Sequence, residues 1–280
     1  MSYFGLNLLL TLSIPIALAT IAQMFILCVN DLDLSIGAFV SLVACITATW
    51  LYDTPLLGIA ALAGLVAAYA LLGARIHLRN LPSIVVTLGM SFVWLGLAVL
   101  VLPTPGGKAP EWLRALMTLK PPYVPFPIIA GVVLALAVHV FLMRSAFGTV
   151  LRGAGGNPQA LTRAGWSILR VKMTMFALAG FFGVLSGMAL VGLTTSADAN
   201  IALRYTLLSI AGQVIEAGAQ VILGGGEFVG GRGSPIGAVI GAMTLALAAS
   251  FLSFLRLNPD WQIGAQGAIL IIVLALRVLI

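Results

Sequence analysis

The sequence predicts an all-α, polytopic membrane protein with about nine transmembrane helices, several of them interrupted by glycine and proline. Three observations carry this reading. Apolar residues make up 61% of the 280 before the 31 glycines are counted, against about 45–50% with glycine included in soluble domains. Charged residues are only 8% and gather in short stretches, leaving uncharged lengths close to the roughly 20 residues a helix needs to cross a bilayer. Glycine and proline cluster at 31–37, 81–89, 224–237 and 258–267, beside or inside apolar runs, and irregular backbone at membrane depth survives only when buried in protein or lining a polar cavity.

In order, apolar segments fall at 5–29, 33–50, 54–74, 82–102, 126–143, 173–193, 205–223, 235–254 and 262–280, forming one membrane domain over 1–280. The opening MSYFGLNLLL has neither a basic n-region nor a small-residue cleavage pattern, so no removable signal peptide is expected. Asp31 and Asp33 stand where the second segment starts. A carboxylate at mid-bilayer costs about 2.5–3.5 kcal/mol, which puts Asp33 near an interface, capping the helix that begins at Ser35; contact with a solute is the alternative. Thr87, Ser91 and Trp94 are spaced by four and three, hence on one helix face. They line a passage or serve helix–helix hydrogen bonding and packing.

The loops 75–80 (RIHLRN) and 144–172 carry Arg75, Arg79, Arg144, Arg152, Arg163, Arg170 and Lys172 with no acid, and two segments separate them. Both therefore lie on one side, the cytoplasmic one by the positive-inside rule. Loop 103–125 holds Lys108, Arg114 and Lys120 against Glu111 and falls outside, with EWLRALMTLK as a short amphipathic helix and Trp112 at the interface. Counting back puts residue 1 outside, and counting forward puts the C-terminus inside.

The stretch 148–172, GTVLRGAGGNPQALTRAGWSILRVK, is a sizeable polar segment between apolar runs. Asn157 and Pro158 make a good helix start and Gly165 a left-handed stop. The result is a helix of about two turns, PQALTRA, too short to stand alone in water. Its own spans or another subunit must hold it, unless it is an ordinary connecting loop. SIGA (35–38) and SPIGA (234–238) each introduce a helix, which is either the trace of a duplicated half or a coincidence of a short string.

The composition excludes several function classes. The net charge of +6 sits in short loops rather than on one soluble face, so nucleic acid is not expected as a partner. Cys28 and Cys45 lie in apolar runs and read as small packed hydrophobes. His77 is in a loop, His139 stands alone in an apolar span, and no nucleophile–base pair or metal set accompanies either, so neither an enzyme nor a cofactor is expected. PGGKAP at 105–110 lacks the Ser/Thr and the strand–helix context of a phosphate-binding loop. Glu216 is the one carboxylate deep in an apolar run, LLSIAGQVIEAGAQVIL; a stand-alone secondary transporter or channel would use it to carry coupling protons.

Four ordered motifs carry a family resemblance. GAGGNPQALTRAGWSILRVKMTMFALAGFFGVLSG resembles the A-x-G-G-N segment of ribose-type ABC importer permeases, in the branched-chain amino acid/ribose permease superfamily. DLDLSIGAF resembles the same family's G-x-D-L-S-V-G element, LPSIVVTLGMSFVWLGLAVL its P-x-F-I-x-T-L-G span, and LGGGEFVGGRGSPIGAVIGA its G-G-x-x-x-x-G-G-x-G-S stretch. Asp33 matches the family's acid.

The resemblance implies a permease subunit in the bacterial cytoplasmic (inner) membrane that moves a small polar solute, most simply a monosaccharide. It implies three kinds of partner: a second permease, identical or homologous; two cytoplasmic ATPase domains; and a periplasmic or lipid-anchored solute-binding protein. The segment with Gly155, Gly156, Asn157, Pro158, Ala160, Arg163 and Gly165 becomes the coupling helix that rests on the ATPase. Asp33, Ser35, Gly37, Thr87, Ser91 and Trp94 become candidates for the translocation pathway. Two features depart from the family. The span around Glu216 is longer by about two turns, and the chain begins where the family's second span would begin, so the family's first helix is lacking; a shortened subunit or a late start codon accounts for it.

Overall fold

The computed structural model describes residues 3–213, 231, 233–254 and 268. Among these there is no strand, only a single antiparallel bridge between Gly106 and Ala197. The helices are α1 (Tyr3–Leu10), α2 (Ser13–Leu27), α3 (Ile36–Ala48), α4 (Trp50–Asp53), α5 (Pro55–Leu78), α6 (Ser83–Val101), α7 (Glu111–Met117), α8 (Phe126–His139), α9 (Ala146–Gly156), α10 (Pro158–Arg163), α11 (Ile168–Thr194), α12 (205–213) and α13 (Pro235–Phe254). A π turn, Val140–Arg144, extends α8. Five helical stretches are long and apolar enough to span a membrane: Ile36–Asp53, Pro55–Leu78, Ser83–Val101, Phe126–Arg144 and Ile168–Thr194. Residues 214–223 of the expected segment 205–223, with Glu216, residues 224–230 and 232 of the glycine stretch, and all of the expected segment 262–280 but residue 268 lie outside the described residues.

Most boundaries fall within a few residues of the sequence expectation, and the exceptions have local causes. Segment 5–29 is not one helix: it breaks at Thr11–Leu12. Pro15 has no N–H to offer the preceding turn, and the hydroxyls of Thr11 and Ser13 bond back to Asn7 O and Leu10 O at 2.7 Å each, competing with the backbone ladder. Helix α5 runs on to Leu78 and absorbs most of RIHLRN, with Arg75 and His77 in its last turn, where cations complement the exposed carbonyls. Helix α11 begins at Ile168, ahead of the expected 173, because Ser167 caps it by accepting from Arg170 N. The expected amphipathic helix of loop 103–125 is α7, with Leu113 buried and Trp112 exposed.

Burial sorts the helices into an inner and an outer set. Every residue of α3 is buried, as is every residue of α2 from Ser13 to Ile26; helices apolar all round belong in the centre of a bundle. The Ile36–Asp53 window is 78% buried while Ser83–Val101 is 17% buried, which leaves most of α6 to face lipid or another subunit. Helix α11 packs across α2, α3 and α5, and α13 across α2 and α8. Close approach of α5 and α11 rests on small residues: Gly73 lies under the Phe176 ring and Gly180 under Tyr69. The side chains of Cys28 and Cys45 are buried in this core.

Interhelix contacts gather at two ends. At one, Lys108 N bonds Ala48 O at 2.9 Å, Ala109 N bonds Thr195 O at 3.2 Å, and Gly106 exchanges bonds with Ala197 at 2.9 and 2.8 Å. Loop 103–110 thus closes over the ends of α3 and α11. The other end carries the basic loops and holds the site.

Candidate coupling site and the junction beneath it

The basic end is built on α9 and α10. Ser145 caps α9 by accepting from Gly148 N at 2.8 Å, and α9 runs to Gly156. Asn157 then caps α10: its Oδ1 accepts from Ala160 N at 2.9 Å, with Pro158 at the first helical position. At the far end Gly165 has φ +84°, and Gly165 N bonds Thr162 O at 3.0 Å while Trp166 N bonds Leu161 O at 3.1 Å. That pair of bonds is the Schellman ending, which needs a left-handed residue at the position of Gly165. The cap, the proline start and the glycine stop expected from sequence are therefore all in place on a six-residue helix.

Only Leu161 of α10 is buried; Pro158, Gln159, Ala160, Thr162 and Arg163 are exposed, as are Gly156 and Gly165. Gly155 is different, for it faces inward. Its carbonyl accepts from Asn30 Nδ2 at 2.8 Å, and a Cβ there would overlap Cys28 O outright and stand 2.7 Å from Gly231 N. Gly231 N in turn bonds Cys28 O at 2.8 Å, and a Cβ on Gly231, at φ +85°, would press on Arg152 O at 2.6 Å. The backbones of α2, α9 and residue 231 meet here at a separation only glycine allows.

Beneath this contact runs the linker from α2 to α3. Each residue from Asn30 to Ser35 is bonded to another element. After Asn30 to Gly155, Asp31 Oδ2 pairs with Lys172 Nζ of α11 at 2.7 Å, the side chains 9% and 18% exposed. Leu32 N donates to Ser83 Oγ at 3.1 Å and Leu34 N to Thr87 Oγ1 at 3.0 Å, two hydroxyls one turn apart on α6. Asp33 has no exposed surface. Its Oδ1 accepts from Ser35 N at 2.6 Å and Ser35 Oγ at 2.7 Å, and its Oδ2 from Tyr69 Oη of α5 at 2.7 Å. The Gln23 amide, turned so that its nitrogen faces Asp33 O at 3.1 Å and its oxygen Asp33 N at 3.2 Å, completes the shell. The carboxylate is satisfied on both oxygens, as a buried polar group must be.

The pathway candidates are distributed around this shell. Asp33 bonds the start of α3, as a capping acid would, but inside the bundle rather than at its surface. Gly37 admits the 202–206 turn, since a Cβ would lie 2.6 Å from Leu203 O, and its N–H donates to Thr206 Oγ1 at 3.0 Å. Thr87 is wholly buried against the linker. Trp94 is buried too, stacked on Tyr69 at 6.1 Å and edge-on to Phe39 at 5.6 Å. Ser91 stands apart, half-buried and bonded to Leu88 O of its own helix at 2.6 Å. Sequence reasoning missed Gln23, Tyr69, Ser83 and the Asp31–Lys172 pair. For Gln23, Tyr69 and Ser83 the available signal was that polar side chains inside apolar spans seek one another.

Chemically this arrangement holds position. Asp31 is paired with Lys172, and both carboxylate oxygens of Asp33 are taken up by Ser35 and Tyr69. A bundle of apolar, lipid-length helices, tied by glycine contacts and buried hydrogen bonds to a surface helix, defines a multi-pass membrane protein. The chain belongs to the family described as the permease component of the branched-chain amino acid transport system, which it matches over residues 5–274. It is thus a transport permease and not an enzyme.

Curated relatives include a galactose/methyl galactoside import permease of Haemophilus influenzae, 26% identical over 267 residues, covering 87% of this chain and 77% of that protein. A fructose import permease of Rhizobium meliloti is 26% identical over 301 aligned positions, 98% of this chain and 78% of its own length. A ribose import permease of Bacillus subtilis is 29% identical over 153 residues, 55% of this chain and 45% of its own. No solved structure matches the chain.

Proposed function

We propose that this chain is the membrane subunit of an ATP-binding-cassette importer that carries a monosaccharide across the bacterial cytoplasmic (inner) membrane, pairing with a second permease, two ATPase domains and a solute-binding protein. Relatives that are import permeases for galactose, fructose and ribose support the substrate class. On this reading the chain spans the membrane about nine times, segment 144–172 is cytoplasmic, and loop 103–125 is the external surface that receives the binding protein. Asp33, Ser35, Gly37, Thr87 and Trp94 shape the wall behind the pathway, with Ser91 nearer its surface.

The observation that carries the coupling assignment is α10 itself: a helix fixed at both ends by its cap and its glycine stop, anchored by Leu161, with the rest of its surface bare. A pre-ordered, exposed short helix is ready to seat in a partner's groove without further ordering cost. Ala160 lies in the middle of that bare surface. Ala160→Glu places bulk and charge in water, so the permease still inserts, while steric misfit at a packed interface costs about 1–3 kcal/mol, a loss of association of roughly 5- to 150-fold. The test is retention of the ATPase on the purified permease together with uptake of radiolabelled galactose, fructose and ribose. Wild-type retention and uptake in Ala160→Glu would make 157–165 an ordinary loop and sink the assignment.

A further inference from the structure

The ion pair between Asp31 and Lys172 joins two segments 141 residues apart, and its position gives it a role. Lys172 stands at the start of α11, directly after the surface helix and its glycine stop. Asp31 stands in the α2–α3 linker, whose next residues hang on α6 through Ser83 and Thr87 and on α5 through Tyr69. The same linker holds α9 through Asn30 and Gly155. One short strap is therefore bonded on one side to α9 and α11, which flank α10, and on the other to α3, α5 and α6.

We infer that residues 28–35 are the strap through which movement of the coupling segment reaches α3 and α6, and that Asp31 and Lys172 are the positioning pair that keeps it engaged. The inference rests on the reading of 144–172 as the coupling segment. The alternative is that the pair only holds the bundle together, and three features of the contact favour transmission. The pair is largely screened from water, so its attraction is strong and directional compared with a surface pair. It is the only salt bridge among the described residues, although basic side chains crowd this end. The strap beyond it has no slack: every residue to Ser35 is bonded, so a shift of Asp31 cannot be absorbed by a floppy loop.

Both residues are assigned a positioning role, so the measurement must separate coupling from folding and docking. Wild type, Asp31→Asn, Lys172→Met and the exchanged pair Asp31→Lys/Lys172→Asp are reconstituted in proteoliposomes with the ATPase and the binding protein. The readouts are ATPase retained per permease, and galactose, fructose or ribose moved per ATP hydrolysed, using whichever sugar the wild type takes up fastest. Both single variants are expected to keep the ATPase at wild-type occupancy while lowering sugar moved per ATP by about tenfold or more, since each leaves a screened charge without its partner. The exchanged pair is expected to recover most of the ratio.

An unchanged ratio in the single variants overturns the inference. So does loss of retained ATPase in them, which would assign the pair to shaping the docking face. So does a lowered ratio that the exchange does not recover, which would assign the loss to misfit rather than to the ion pair. Failure of the underlying reading shows up elsewhere, in Ala160→Glu keeping its ATPase.

Discussion

Gly155→Ala tests whether the inward face of the GGN segment is a packing contact. The new methyl would overlap Cys28 O and lie 2.7 Å from Gly231 N, well inside the roughly 3.5–4.0 Å at which heavy atoms attract. Neither neighbour is a flexible side-chain tip, so α9 must retreat from α2. Retreat loosens two hydrogen bonds, Asn30 Nδ2 to Gly155 O and Gly231 N to Cys28 O, both 2.8 Å. Overpacking costs about 1–3 kcal/mol and each lost bond about 0.5–1.5 kcal/mol; alanine's better helix propensity returns about 0.5–1 kcal/mol. The net is a loss of about 1–5.5 kcal/mol, about 3 kcal/mol at mid-range. At roughly 2–4 °C per kcal/mol for a chain of this order, the mid-range loss should lower the melting midpoint of the detergent-purified permease by about 6–12 °C. The control is Gly153→Ala on the same helix, whose Cβ would meet only Leu161 Cδ1, at 3.4 Å; its midpoint should hold or rise slightly. Equal midpoints for the two variants would refute the packing argument.

Two further outcomes follow from the same geometry. Thr87→Val keeps the shape of the side chain but leaves Leu34 N–H without its acceptor, a cost of about 1–3 kcal/mol read as a lowered midpoint, whereas Thr87→Ser retains the hydroxyl and should lose less. Lys108→Cys puts a thiol on the exposed loop 103–110 while Cys28 and Cys45 stay buried. A membrane-impermeant maleimide should then label it in intact spheroplasts, and labelling confined to inverted vesicles would reverse the sidedness assigned to both loops.

Local chemistry was legible in the sequence wherever one or two residues decide a backbone conformation. Asn157, Pro158 and Gly165 set α10 by short-range rules, and each does what those rules require. Which face of a span turns inward was much less legible. In water an amphipathic period marks the buried side, but α5 and α6 are apolar all round because lipid accepts what the core accepts. The spacing of Thr87, Ser91 and Trp94 suggested one common face, yet burial divides it, taking Thr87 and Trp94 and leaving Ser91 at the edge. The Asp31–Lys172 pair was out of reach, since nothing local to either residue names a partner 141 positions away.

The resemblance that first placed this chain rested on short glycine and acid motifs far apart in sequence, and the structure supplies a physical reason for three of them to occur together. Gly155 of GAGGN and Gly231 of the fourth motif converge on the residues just ahead of DLDLSIG: Asn30 holds Gly155 and Cys28 holds Gly231, while Asp33 within that motif holds the start of α3. The glycines bring three backbones within hydrogen-bonding distance, and the polar side chains of the linker then find carbonyls and hydroxyls within reach. Either group alone would fail. Without the glycines the α2 end could not approach α9, and Asn30 would lose its acceptor; without Asn30 and Asp31 the close contact would keep only the Gly231 N to Cys28 O hydrogen bond and dispersion to hold it against lipid competing for the same surfaces. The motifs thus meet in one packed junction at the root of the surface helix, and a substitution that opens the Gly155–Cys28–Gly231 contact should be felt in the linker that leads to Asp33.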